Sequence, residues 1–565
     1  MKSSPKFTHS GKPAARLRAL AIGFAVAVGL TSGIAGAADI VHDGEYYHLQ
    51  AQHGDKWASE DKEVDSSLDQ IRTKNGGKRP NILYILVDDV PFGDFGIPAL
   101  NYVRGTRTDR INELASESLS LMRMYTEPSC TPTRLAFMTG RHPVRTGTKE
   151  VKVALVGEGL GAEEVTIAEV LSQAGYATAH IGKWHMGDIE VAYPHNQGFD
   201  YASFPLHQQV QLAWMTADAD HANAMTGWYG SAQSDQFWVD KRFKPSGLVT
   251  TVEAEKGRQA REVGMTAGEQ WSQAHYNALN EKYQHQTLEQ LRKLAKQDKP
   301  FFLQYWPLIP INVVRSDREA FKTVNGGTMV ESMQQLDMWV GEILDEVDKL
   351  GIANNTLVVL MSDNGSFRQY QSTTGMNDMI YRGGKTDHLE GGVRVNAFAR
   401  WPGVIKGGSY AGDIFHVTDL YTTFARLAQA KQYVPRDRVI DGVDQTALLL
   451  KGENHGRRDY VYIYENDVIR SVVKQKFKMH LPAPGVPGAA APMFDLTRDP
   501  REEHPQIGIS LWAAASFQDM VKRHLMMIKK YPHSPLITGR PYEGIENLRP
   551  ESIAAVESFM AWQQK

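Results

Sequence analysis

Between Asn81 and Val87 the chain reads Asn-Ile-Leu-Tyr-Ile-Leu-Val, apolar at almost every position and without polar alternation. A strand with one wet face alternates; a run like this has to be covered on both sides, as in the interior of a parallel sheet. Tyr176 to Ile181, Phe301 to Trp306 and Thr356 to Met361 read the same way. Amphipathic helices stand between them. One opens on a capping box, Thr166 to Glu169, buries Ile167, Val170, Leu171 and Ala174, and stops at Gly175. Another carries Leu336, Val340, Ile343, Leu344 and Val347 on one face and stops at Gly351. This alternation predicts an α/β fold: a large mixed, mostly parallel sheet flanked by helices. Past residue 456 the texture changes to short runs, Tyr460–Tyr464, Ile469–Val473, Phe477–Leu481 and Met493–Leu496, followed by an amphipathic stretch over 511–530. These predict a smaller C-terminal α+β domain containing an antiparallel sheet. The expected plan is a leader (1–37), a polar N-terminal arm (38–79), a main domain (80–455) and the C-terminal domain (456–565). The main domain includes a long polar insertion, 207–285, with Trp214, Trp228, Tyr229, Phe237 and Trp238. Such an insertion is either a functional loop or packs a small core of its own.

Charge narrows the partners. With 62 basic and 65 acidic residues the net charge is −3, which gives no reason to expect nucleic acid or an anionic membrane surface. The leader has the form of a signal peptide. Lys2, Lys6, Lys12, Arg16 and Arg18 precede an apolar run, Ala19 to Leu30, and Ala35-Gly36-Ala37 fits a cleavage site. That run falls short of the roughly 20 residues needed to span a bilayer. The chain is therefore expected to be exported, periplasmic or secreted, with no stable membrane insertion after cleavage. It has one cysteine, Cys130, so no intrachain disulfide can form. A lone thiol in an oxidising compartment points to a task.

Two of the buried strands end alike. The first runs into Asp88-Asp89 and the one from Thr356 into Asp363-Asn364. The carboxyl ends of strands carry the ligand site in open α/β sheets. Three carboxylates gathered there would repel one another unless a cation joined them. All-oxygen ligation suits calcium or magnesium rather than zinc, and calcium suits an exported protein.

Cys130-Thr131-Pro132-Thr133-Arg134 is followed by Thr139-Gly140-Arg141. This resembles the sulfatase signature C-x-P-x-R-x(4)-T-G, whose chance occurrence around a single cysteine is on the order of 10⁻⁵. Competing motifs fail. A phosphatase loop needs arginine where Ala136 stands, and a P-loop ending at Lys385-Thr386 needs glycine where Met379 stands. Other segments are similar to the family's in the same order: Ile85 to Asp89 with Gly93, Gly182-Lys183-Trp184-His185-Met186-Gly187, Gln197-Gly198-Phe199-Asp200, Ser362-Asp363-Asn364-Gly365, Gly384-Lys385 with Glu390-Gly391-Gly392-Val393-Arg394, Asp441-Gly442-Val443-Asp444, and Phe494-Asp495-Leu496 with Asp499-Pro500. The resemblance spans roughly residues 80 to 500.

The resemblance implies a formylglycine-dependent, arylsulfatase-like hydrolase of the alkaline phosphatase superfamily. Cys130 would be converted to formylglycine by a formylglycine-generating enzyme, and one hydroxyl of the hydrated aldehyde would attack the sulfur of a small sulfate ester. Asp88, Asp89, Asp363, Asn364 and the converted Cys130 would hold one calcium ion per chain. Arg134 would pair with the metal-site carboxylates, and Lys183 and Lys385 would neutralise the sulfate oxygens. His185 would take a proton during collapse, and His207 would protonate the leaving alcohol. The chain departs from many family members at Pro307-Leu308-Ile309-Pro310, where they carry A-P-H-x-P. Two alternatives stay open: a phosphodiester or phosphonate monoester hydrolase of the same superfamily, and a catalytically silent binding protein on the same scaffold.

Overall fold

The apolar runs lie side by side. The computed structural model describes residues 39–151, 157–205, 251–263, 273–309, 327–366, 380–482 and 491–539. Its main sheet is built from β1 (Asn81–Val87), β2 (Leu119–Tyr125), β4 (Ala177–Gly182), β5 (Tyr201–Pro205), β6 (Thr251–Glu255), β7 (Arg261–Val263), β8 (Phe301–Trp306), β9 (Thr356–Ser362), β10 (Arg394–Val395), β11 (Ala397–Arg400) and β12 (Ser409–His416). The order is β10-β2-β11-β9-β1-β8-β4-β5-β6-β7, with β12 also paired to β2. At its centre β9, β1, β8, β4 and β5 are all parallel. β11 runs antiparallel to both β9 and β2, and β5, β6 and β7 form antiparallel pairs at the far edge. β6 and β7 come from the expected insertion, so part of it extends the sheet.

Every residue of β1, β4, β8 and β9 is buried. Helices explain this by covering both faces: Asp109–Ser116, Ile167–Gln173, Gln273–Ala295, Gly327–Lys349 and Asp419–Leu427 supply most of the cover. The capping box at Thr166 is formed in both directions. The polar arm contains a single helix, Gly44–Lys74, that buries Leu49, Trp57, Val64 and Leu68. Those four positions are too widely spaced among charged residues to read as an apolar stripe in sequence.

The short runs after 456 form a four-stranded antiparallel sheet: β13 (Tyr460–Glu465), β14 (Val468–Lys474), β15 (Phe477–His480) and β16 (Met493–Asp495). The helix Ile507–Lys530 packs against it through Ala513, Phe517 and Met520. Val461, Ile463, Val473 and Leu496 share an apolar cluster with Tyr125, Val393 and Ile414 of the main sheet. A two-stranded piece, β3 (Glu158–Gly159) with β17 (Ile537–Thr538), ties the chain's last described residues back to the body. No helix among the described residues is long and apolar enough to cross a membrane.

Candidate active site

β1 and β9 are neighbours in register, with Val87 opposite Ser362, so the residues after them leave the sheet at one edge. That register brings Asp88-Asp89 against Asp363-Asn364. The Asp363 N–H donates to the Val87 carbonyl at 3.0 Å, and the Asp89 N–H donates to Asp363 Oδ1 at 3.0 Å. Asp89 reaches this position at φ 55°, a left-handed conformation that aspartate tolerates better than most residues. Gly365, next along, has no room for a side chain: a Cβ there would lie 1.7 Å from the Gly391 carbonyl oxygen.

The signature segment is a short helix, Cys130–Thr139, and its spacing follows from that. Cys130 is its first residue, Arg134 lies about one turn later on the same side, and Gly140 ends it at φ 67°. The sulfur therefore sits at the positive end of the helix dipole. Cys130 Sγ is 3.9 Å from Asp89 Oδ1. The Arg134 guanidinium donates to Asp363 Oδ2 at 2.9 Å and to Asp88 Oδ1 at 3.2 Å through Nη2, and to the Lys183 carbonyl at 2.9 Å through Nη1. Its carbon lies 4.8 Å from the centre of the Trp306 ring.

Lys183 follows β4 and Lys385 lies in the glycine-rich loop after 382. Lys183 Nζ donates to Asp88 Oδ1 at 2.6 Å and Lys385 Nζ to Asp89 Oδ2 at 2.7 Å. Lys385, expected to face the sulfate oxygens, is only 8% exposed and ion-paired with Asp89. The tight turn into Lys183 depends on Gly182, where a Cβ would meet the Trp306 carbonyl oxygen at 1.9 Å. His185 is buried at φ 63°. Burial first, then the charges of Lys183 and Arg134, hold its imidazole well below its ordinary pKa and therefore neutral.

Three carboxylates thus face three cations in a buried site. Burial pushes every carboxyl up. At Asp88 the charges of Lys183, Arg134 and Lys385 outweigh burial and keep it ionised. At Asp363 burial and the charge of Asp88 prevail over Arg134, and its carboxyl rises to about 7. Burial also pushes the Cys130 thiol up against the pull of Lys183 and Lys385. The donor set fits a divalent cation. One ligand atom from each of Asp88, Asp89, Cys130 and Asp363 lies within 4.8 Å of the others. Asn364 Nδ2 donates to Asp89 Oδ1 at 2.7 Å, while its buried Oδ1 has no hydrogen-bond partner. A buried acceptor left without a donor beside clustered carboxylates is what a hard cation would satisfy.

All the expected site residues within the described range therefore meet in one cluster or border it electrostatically; His207 lies outside the described residues. Sequence reasoning missed Trp306, which underlies Arg134, and Ser362. Ser362 Oγ accepts from the Val90 N–H at 3.0 Å and donates to the Asn364 carbonyl at 3.1 Å. Trp306 ends a buried parallel strand next to β1 and β4, and that position was the available signal.

The family model described as Sulfatase matches residues 80–430. The chain is 30% identical to a steryl-sulfatase of Rattus norvegicus, over 78% of this chain and 87% of the relative. It is 27% identical to an N-acetylgalactosamine-6-sulfatase of Mus musculus, over 83% and 89%. Among solved structures, the PsFucS1 sulfatase from Pseudoalteromonas sp. superposes with a TM-score of 0.73 at 27% identity, covering 85% of this chain and 96% of that one.

Proposed function

Because the chain belongs to the sulfatase family and is a sulfuric ester hydrolase, we propose that it cleaves small sulfate monoesters at this cluster, with a nucleophile derived from Cys130 and one bound calcium ion. The observation that carries the reading is the helix-terminal sulfur of Cys130 held beside Asp89, among three carboxylates and the partnerless Asn364 Oδ1. As a thiol, Cys130 is buried and pushed towards its neutral form, which makes it a poor nucleophile. Conversion to formylglycine by a maturation enzyme supplies, once hydrated, a hydroxyl for attack on sulfur. Residues 88, 89, 130, 363 and 364 would hold calcium, which would supply positive charge to the site.

The other groups have roles that follow from charge. With three cations matched to three carboxylates, a divalent cation would add surplus positive charge, which the single negative charge of a sulfate monoester would offset in part. Lys183 and Lys385 would then share Asp88 and Asp89 with the cation, and their ammonium groups would neutralise the sulfate oxygens. Arg134, bonded to Asp88, Asp363 and the Lys183 carbonyl, holds the carboxylates and the lysine in place. His185, kept neutral, is a base able to accept a proton. His207 is proposed as the acid for the leaving alcohol on its sequence position after the Gly-Phe-Asp segment. Water supplies the remaining atoms: ester plus water gives alcohol and hydrogen sulfate. The leader supports export to the periplasm or beyond.

The test is an intact mass of the Cys130 peptide from protein made in its own host, together with turnover of 4-nitrophenyl sulfate, a phosphate diester and a phosphonate monoester. The expected result is a peptide lighter by about 18 Da, the thiol-to-aldehyde change, and fastest cleavage of the sulfate. An unmodified peptide in fully active protein, or faster phosphonate cleavage, overturns the reading.

A further inference from the structure

A cavity of about 310 Å³ lies beside the signature helix. Two of the residues that line it are chain neighbours of the proposed machinery: Ser129 precedes Cys130, and Thr386 follows Lys385. The Thr386 N–H donates to the Pro128 carbonyl at 2.6 Å, so the two segments are joined where they line the cavity. The volume is at the small end of the roughly 300–1,000 Å³ typical of ligand pockets. It suits a single ring better than a fused ring system.

Ser129 is the independent observation. It stands at the N-cap of the signature helix, where a serine hydroxyl ordinarily accepts from the first free N–H groups. Here the side chain makes no capping bond. Its Oγ is buried with no hydrogen-bond partner among the described residues, and Ser129 is only 5% exposed. A hydroxyl withheld from capping and buried without a partner is costly unless something else bonds to it. Thr386 adds a second cost. It holds φ 73°, a left-handed conformation that β-branched residues rarely adopt, and such strain collects at ligand sites.

Another wall is the turn between β13 and β14. Glu465 pairs with Val468 across it, which makes Asn466-Asp467 a two-residue hairpin turn, and Asn466 sits at φ 54°. Glu465 and Asn466 both line the cavity. Glu465 is held in place: Oε1 accepts from the His388 N–H at 3.2 Å and lies 2.6 Å from His388 Nδ1, and Oε2 accepts from Arg470 Nε at 3.0 Å. Lys149 Nζ donates to Asp467 Oδ2 at 2.6 Å, which ties the wall around Lys149 to the same turn. Among the described residues lining the cavity, Lys149 is the only cation, and Asp467 answers it; Glu127, Glu150 and Glu465 bring carboxyl groups. Pro132, Pro143 and Val144 add an apolar surface.

We propose that this cavity seats the alcohol half of the ester, and that Ser129, Glu465 and Asn466 select a single-ring polyhydroxylated alcohol: a monosaccharide unit with no second anionic group. The proposal rests on Cys130 carrying the nucleophile. A sugar hydroxyl both donates and accepts, which matches Ser129 Oγ and the Asn466 amide, and it donates to the Glu465 carboxylate. The apolar surface of Pro132, Pro143 and Val144 suits the C–H face of the ring. A fused apolar ring system would cover the same polar groups and leave them unbonded, which a site of this kind rejects. A second sulfate would meet the carboxyl groups of Glu150 and Glu465 while Lys149 is already paired.

The test measures kcat/KM on the full-length enzyme with Cys130 converted, as read by peptide mass. The substrates are the monosulfates of glucose, galactose and fucose at each hydroxyl, the corresponding disulfates, cyclohexyl sulfate (a ring of the same size without the hydroxyls) and dehydroepiandrosterone sulfate, all esters of alkyl alcohols. At least one hexose monosulfate should exceed cyclohexyl sulfate and the steroid sulfate by about 10²-fold, the effect of two to three hydrogen bonds, and should exceed its own disulfates. Ser129→Ala, and Asn466→Gly, which suits the left-handed turn, should each lower the ratio of hexose monosulfate to cyclohexyl sulfate turnover by about 2–10-fold. Asn466→Gly carries this arm if the serine variant is not converted. Turnover of cyclohexyl or steroid sulfate equal to that of every hexose monosulfate, disulfates cleaved as well as monosulfates, or a ratio unmoved by substitution overturns the proposal and leaves the sulfate-cleaving site standing. If converted protein cleaves no sulfate ester, 4-nitrophenyl sulfate included, the reading of the site falls and the proposal with it.

Discussion

Two buried charge clusters in this protein are built from similar parts and differ in one respect. Around Asp88, Asp89 and Asp363 the carboxylates face Arg134, Lys183 and Lys385, yet Asn364 Oδ1 has no partner. At the junction of the main sheet with the C-terminal sheet, Lys478 Nζ sits between Glu390 Oε1 at 3.1 Å and Glu502 Oε1 at 3.2 Å. Glu390 also accepts from the Tyr125 hydroxyl at 2.9 Å, Glu502 accepts from the Glu390 N–H at 2.7 Å, and His480 completes the set. No side-chain atom of Tyr125, Glu390, Lys478, His480 or Glu502 is left buried without a hydrogen bond. A cluster whose bonds are complete acts as a strut, whereas one that leaves an acceptor open has room for something else.

Asp363→Ala tests the contrast most severely. It removes a proposed ligand and one of the two carboxylates that the buried Arg134 pairs with, so activity should fall to background. The loss of the buried pair should cost about 3–5 kcal/mol, and calcium should no longer raise the melting temperature. Chelation of the wild type should reproduce the activity loss without the full stability loss. Full activity after both treatments would remove the metal from the account.

Lys478→Met addresses the strut. Two carboxylates lose their shared cation, and chemical denaturation should report a loss of about 3–5 kcal/mol while calcium content stays at one per chain. If Lys478→Met instead abolished calcium binding, the two clusters would be one unit.

Lys385→Ala should lower turnover by about 10²–10³-fold, the effect of removing one preorganised positive contact. Because Lys385 is paired with Asp89, the variant should also melt earlier than wild type without calcium and recover when calcium is added, as the cation replaces the lost charge. Near-normal kinetics would mean that other groups build the sulfate pocket. The smallest effect is expected for Tyr125→Phe. It deletes one hydrogen bond to Glu390 and should cost about 1.5–3 kcal/mol, read by denaturation, with kinetic constants close to wild type.

Much of the fold was legible because it rests on local pattern. Continuous apolar runs at β1, β4, β8 and β9 can be stable only under helices on both faces, and the capping box at Thr166 marks a helix start through bonds within four residues. The ligand-like residues were legible for a related reason. Asp88-Asp89 and Asp363-Asn364 end buried strands, and Cys130, Arg134 and Gly140 carry the spacing of one short helix. What no local pattern contains is pairing between distant segments. The register that sets Val87 against Ser362, the Trp306 ring under Arg134, and the burial and ion pair of the loop residue Lys385 all depend on strands and turns far apart in the chain. The same is true of Glu127, His142 and His416, which join only where the segments flanking the signature helix meet the end of β12. Backbone propensity and apolar periodicity act over a few residues, whereas desolvation and charge pairing act through space, so the second kind of information appears only once the chain has closed on itself.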